Sequence, residues 1–213
     1  MNSRPRSFSA LVRSLAIAGA YTAVATFGFL ADEGMRRQAT DLALFSLLLA
    51  ALPISIAFSV WAAKQALAPF VVFGEDRRKV TLRYLAPLLL GWPLAGAGLA
   101  ALVIAWTRGV ADPRFVSDLV ATLPVAFMAA LSLVFASVAT SAWLGRIGLI
   151  GLVILLLTLG QSEVLAAAVL PSAHVRHLLG VGAPLPFDPG WSMGALFGFC
   201  LLGSLAWLAR VPR

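Results

Sequence analysis

The sequence predicts an all-α polytopic membrane protein. Six transmembrane helices, both termini cytoplasmic, an N-terminal interfacial helix and a re-entrant outer segment between helices five and six make up the expected fold. Three observations predict it. The 213 residues are 61% hydrophobic and 12% charged, with a mean hydropathy of +0.94. An ordinary soluble domain is about 45–50% apolar, so a soluble enzyme is excluded. Six uncharged apolar runs approach or exceed the roughly 17–25 residues that cross a bilayer. They are continuously apolar, not alternating, which selects helices over a barrel. Finally, the charges outside these runs are divided by sign.

Met1–Arg13 mixes Arg4, Arg6 and Arg13 with Phe8, Leu11 and Val12, a short basic amphipathic segment suited to the inner membrane surface. Span one is Ser14–Leu30. Its 17 residues are longer than the apolar region of a signal peptide, about 7–15 residues. Span two is Leu42–Ala63 and span three Tyr84–Thr107. Span four is Leu119–Trp143 and span five Ile147–Ser162. Span six is Trp191–Ala209. Pro53, Pro87, Pro93 and Pro124 lie inside spans, where neighbouring helices and hydroxyls can satisfy the carbonyls they free.

The positive-inside rule orients these spans. With the N-terminus inside, eleven of the sixteen Lys and Arg face the cytoplasm, against two of the nine acids. The net charge of +7 is therefore a topology signal and not a nucleic-acid signal. Trp61, Tyr84, Trp143 and Trp207 fall at inner span ends, and Trp106 and Trp191 at outer ends, as an interfacial aromatic belt requires. Tyr21 and Trp92 fall deeper.

The chain reads as a single transmembrane domain, 1–213, with three pieces outside the spans. Residues 1–13 form the interfacial segment. The inner loop 64–83 carries Glu75, Asp76, Arg77, Arg78 and Lys79 behind the apolar stretch Phe70–Gly74. It suits partner docking, or it is a solvated turn with topogenic cations. The outer segment 163–190 is mostly apolar and broken by Pro171, Pro184 and Pro186. It is too short for a further crossing pair and too apolar for a solvated loop. Half-helices dipping into the outer leaflet fit it, provided protein covers their backbone.

No catalytic residues emerge. The chain has no G-x-x-x-x-G-K-[ST], H-E-x-x-H or G-x-S-x-G motif. Cys200 is the single cysteine and forms no intrachain disulfide. His174 and His177 share a helical spacing, but without further ligands they read as polar anchors. No metal and no cofactor are expected. Intramembrane polar groups flag function; Ser132, Ser137, Thr140 and Glu163 are the substrate-path candidates. The competing reading is helix–helix hydrogen bonding for the hydroxyls and a span end for Glu163. Gly91-x-x-x-Ala95 and Gly194-x-x-x-Gly198 are small-residue faces for close helix packing.

The basic amphipathic N-terminus, the six spans, the charged loop after span two and the Pro-containing outer segment after span five together resemble the permease subunit of an ABC-2 type ABC transporter. Locally, Glu75 followed by Thr81-Leu82-x-x-Leu85-Ala86-Pro87 is similar to the family's acidic residue, Gly-Thr-Leu-Glu and Pro string. Val80 stands in place of its glycine, and Pro87 comes early. Leu170-Pro171 and Ala183-Pro184-Leu185 resemble the family's Leu-Pro and Asn-Pro-Leu features, without the asparagine. The resemblance implies an ATP-binding cassette subunit docked at Glu75–Lys79 and a second membrane subunit, identical or homologous. It also implies a place in the cell (inner) membrane and ATP hydrolysis on the partner chain alone. Export of an apolar or amphipathic substrate is the family's habit. The alternative expectation is a non-catalytic scaffold of a larger membrane complex.

Overall fold

A computed structural model describes residues 36–72, 77–181 and 185–210, with Val12, Arg13, Ala16, Ile17, Gly19, Ala20, Ala23 and Val24. Among the described residues the fold is all-helical. Helix α1 (Arg36–Ser46) runs through a π-helical turn, Leu47–Ala51, into α2 (Leu52–Val72). Then come α3 (Arg77–Arg108), α4 (Phe115–Thr158), a 3₁₀ turn at Leu165–Val169, α5 (Pro171–Leu178) and α6 (Pro189–Arg210). Four helical stretches are long and apolar enough to cross a membrane: Gln38–Ala66, Tyr84–Arg108, Phe115–Thr158 and Pro189–Ala209. Large apolar side chains remain exposed along the outside, among them Leu90, Leu94, Leu102, Ile147, Leu202 and Leu205. Water would penalise such a belt; lipid does not.

The 44 residues of α4 would extend about 66 Å as one straight helix, roughly twice the ~30 Å hydrocarbon core. The helix does not stay straight. Gly145 has φ 66° and ψ −145°, a conformation essentially reserved for glycine. A Cβ at Gly148 would meet Thr140 Cγ2 at 3.0 Å, although eight residues of continuous helix would separate them by about 12 Å. Long-range contacts give the direction of each arm. In the first arm, Gly96 brings Leu52 beside Ala126 and Ala130, and Lys64 reaches Ser141. In the second, Arg146 lies over Trp61 and Gln161 reaches Leu49. One arm therefore runs along α2 and the other against it. The two arms are an antiparallel hairpin over the stretch of sequence in which spans four and five were expected.

The core is built from Leu47, Leu48, Leu49, Leu52 and Ile56, Leu88, Trp92 and Ile104, and Ala126, Ala130, Leu133 and Val134. Close helix approach occurs at Gly96, whose Cβ position is 3.1 Å from Ala130 Cβ. It recurs at Gly203, whose Cβ would sit 2.8 Å from Phe135 Cβ. The expected face on α6 is placed differently: Gly194 and Gly198 have nothing within 4 Å of a Cβ. Their side of α6 points out of the bundle, while Gly203 makes the intrachain contact.

The π turn has a sequence cause. Pro53 has no N–H for the carbonyl four residues back, that of Leu49. Gln161 Nε2 donates to Leu49 O at 3.4 Å, so the turn just past α4 supplies the missing donor. The inner stretch 64–83 is mostly helix: α2 continues to Val72 and α3 begins at Arg77. Ala62, Ala63, Lys64, Gln65 and Ala66 are strong helix formers, so the helix outlasts the apolar run. Of the first expected span, the described residues are helical, and a Cβ at Gly19 would sit 3.9 Å from Leu99 Cδ2. Most of the interfacial segment 1–13 lies outside the described residues.

Candidate functional site

Polar chemistry gathers at the two ends of the helical bundle. One end carries the run expected to dock a partner. Glu75 and Asp76 lie outside the described residues. Arg77, Arg78 and Lys79 open α3, and Lys79 is exposed. From there α3 runs 32 residues, about 48 Å, to the opposite end. Pro87 and Pro93 lie inside it.

The same end holds the α4 hairpin turn, fastened from two neighbouring helices. The Ser141 carbonyl lies in the last turn before Gly145 leaves the helix. Lys64 Nζ donates to that carbonyl at 2.7 Å and to Ser141 Oγ at 3.2 Å. A cation at a helix C-terminus is also favoured by the helix dipole. Trp143 Nε1 donates to Ala206 O at 2.8 Å, tying the turn to α6. Arg146, the first residue past the turn, lies 4.8 Å from the centroid of the Trp61 ring.

At the opposite end, Arg108 Nε donates to Asp118 Oδ2 at 2.8 Å. This pair closes the short loop between α3 and α4, and both charges suit their helix ends: a cation at a C-terminus, an anion at an N-terminus. Beside it is a cavity of about 160 Å³ lined by Thr40, Asp41, Thr122 and the pair itself, with Leu178, Leu179 and Val181 among the residues closing it. Thr107 Oγ1 donates to Val103 O at 2.8 Å, so Thr40 donates to Thr107 Oγ1 at 2.9 Å. The arrangement is a small polar cup on an otherwise apolar bundle.

The outer segment is folded against the protein. Its buried part is Leu170–Arg176, whereas Glu163–Ala166 and Val169 are exposed. Helix α5 starts with Pro171 at its first position and ends in a Schellman motif. Gly180 has φ 67°, Val181 N–H bonds Arg176 O, and Gly180 N–H bonds His177 O. Asp188 Oδ1 accepts from Gly190 N–H at 2.7 Å and starts α6 ahead of Pro189.

His174 is the segment's internal tie. Its Nε2 donates to Ala168 O at 2.8 Å, and that proton placement lets Ser192 Oγ donate to Nδ1 at 3.1 Å. The ring also packs against Phe187 and Phe199. Burial holds the His174 pKa below its ordinary value of 6.5. The Ala168 carbonyl opposes that shift, and His177 adds to it. His177 accepts from Leu185 N–H through Nδ1 at 2.9 Å. Both rings thus fasten the segment to itself and to α6. Arg176 is buried too, and its Nη1 donates to Gln161 O at 3.3 Å.

The four substrate-path candidates are not brought together. Ser132 is buried and donates to Ala129 O on its own helix at 2.9 Å. Ser137 is buried and Thr140 half-buried further along the first arm of α4. Glu163 is exposed, past the end of the second arm. The Arg108–Asp118 pair and its cup escaped the sequence reading; the available signal was opposite charges flanking a short Gly-containing loop. The Lys64–Ser141 bond had no local signal, being a contact across 77 positions. No family model matches the chain, and neither a curated protein nor a solved structure does.

Proposed function

We propose that this chain is the transmembrane permease subunit of an ATP-driven ABC transporter of the ABC-2 type. A separate ATP-binding cassette subunit hydrolyses the ATP, and this chain is not itself an enzyme. The observation carrying the proposal is the placement of Arg77, Arg78 and Lys79 at the start of α3. A partner that engages them pushes on the end of a long helix whose far end is tied to α4 by Arg108–Asp118. Motion at the docking run then reaches the polar cup without passing through a flexible connector.

In this reading the chain crosses the cell (inner) membrane six times. Both termini are cytoplasmic, residues 1–13 lie along the inner surface, and 163–190 is the re-entrant outer segment. The membrane unit is completed by a second permease subunit, a copy or a homologue. The substrate is apolar or amphipathic, because buried hydroxyls such as that of Ser132 serve their own helix. That same observation favours the second reading, a scaffold subunit of a larger complex.

Co-purification from native membranes separates the two. The transport reading expects an ATPase subunit to accompany the chain and to be lost on reversing the charges of Arg77, Arg78 and Lys79 to Glu. Retention of the ATPase by the triple variant would sink the docking role. Purification with other membrane proteins and without any ATPase would favour the scaffold.

A further inference from the structure

An open groove runs between α2 and the second arm of α4. Its volume is about 430 Å³, and it is lined by Ala57, Phe58, Trp61, Arg146, Leu149, Ile150, Val153 and Ile154. Arg146 is the one charge in this lining and stands at the basic end of the bundle, close to the Lys64–Ser141 cap. From Arg146 to Ile154 the groove follows the helix for about 12 Å. Every other lining residue is apolar.

The guanidinium is held in a way that leaves its donors without a partner among the described residues. One face lies over the Trp61 indole at 4.8 Å. Arg146 has no hydrogen bond or ion pair among the described residues. A guanidinium carries five N–H donors in a planar fork that matches phosphate oxygens. Stacking occupies its face and leaves that fork at the edge. Lys64, the nearby cation, is already committed to Ser141.

We infer that this groove is a binding site for an anionic phospholipid: the Arg146 fork takes the phosphate and the apolar trough takes one acyl chain. A single cation at the mouth of an uncharged trough is complementary to one anionic head on an apolar tail. A second copy of this chain would need an acid to meet Arg146, whereas a lipid brings its own. The site depends on neither the transport reading nor the orientation of the chain, only on a surrounding bilayer.

The test is quenching of tryptophan fluorescence by lipids brominated on the acyl chain. The full chain is reconstituted into phosphatidylcholine vesicles containing either brominated phosphatidylglycerol or brominated phosphatidylcholine. The Trp61 contribution is the difference from Trp61→Phe. Expected is an apparent affinity for the glycerol lipid about fivefold higher than for the choline lipid. Arg146→Gln should bring the ratio to about one. Val153→Phe, which fills the trough and keeps the charge, should reduce Trp61 quenching by both lipids.

Equal quenching by the two lipids in the wild type would mean ordinary boundary lipid and overturn the proposal. So would a preference that survives Arg146→Gln. Absence of Trp61 quenching by either lipid would mean that protein covers the groove, and would overturn it too. Should Arg146→Gln fail to fold, the wild-type ratio and Val153→Phe decide the matter.

Discussion

At the scale of single residues, the contacts that matter most are polar groups repairing breaks in helices. Lys64 donates to the Ser141 carbonyl in the turn before Gly145, and Gln161 supplies the donor that Pro53 lacks. Lys64→Met keeps most of the apolar stem and removes the cap. It should lower stability by about 1 kcal/mol, read as a lower thermal midpoint in detergent. His174 makes a pH-dependent contribution. Its pKa is depressed in the folded protein, so on acidification the unfolded chain takes up its proton first. The stability it provides is complete above about pH 6.5. It falls as the pH drops through that value and levels off below the folded pKa. Thermal midpoints measured from pH 8 to pH 5 should therefore fall more for the wild type than for His174→Asn. Parallel curves for the two would remove His174 as the cause.

Elements owe their shapes to a few positions where the helix cannot continue. The α4 hairpin rests on Gly145, whose φ and ψ exclude a side chain. Gly145→Ala should destabilise the protein by about 1–3 kcal/mol, visible as a lowered melting midpoint and faster proteolysis near the turn. A wild-type midpoint in that variant would mean that the turn tolerates a different backbone. The four membrane-length helical stretches were legible as apolar runs because lipid imposes length and polarity directly on sequence. Helix ends were less legible. Residues 64–72 and 77–83 read as loop, yet they continue α2 and begin α3. Hydropathy reports where the apolar stretch stops, whereas backbone hydrogen bonding decides where the helix stops.

For the whole molecule, the distribution of polar groups is the organising fact. Among the described residues the waist is mostly apolar, with buried hydroxyls such as Ser132 and Ser137, and charge lies toward the ends. This makes the long helices the natural carriers of any signal between the ends, and it places the expected effect of Arg77, Arg78 and Lys79 reversal at partner docking, not at folding. Under the proposed transport reading, the triple variant should keep its wild-type helical content and thermal midpoint while losing co-purification with an ATPase subunit. Loss of both would place these residues in the fold.

By itself the sequence determined the solvent, the helical class, the apolar runs and the segregation of charge, because each follows from local composition and period. It also marked His174 and His177 as a pair, without their partners. Only the tertiary structure decided that Gly145 folds one long helix into two antiparallel arms and that Gly203, not Gly194 or Gly198, makes the close approach of α6. It alone joined Lys64 to Ser141 and Arg108 to Asp118, and it alone opened the groove beneath Arg146. These depend on which residues meet across the bundle, and in a chain whose helices are nearly uniform in hydrophobicity, no local pattern specifies which faces meet.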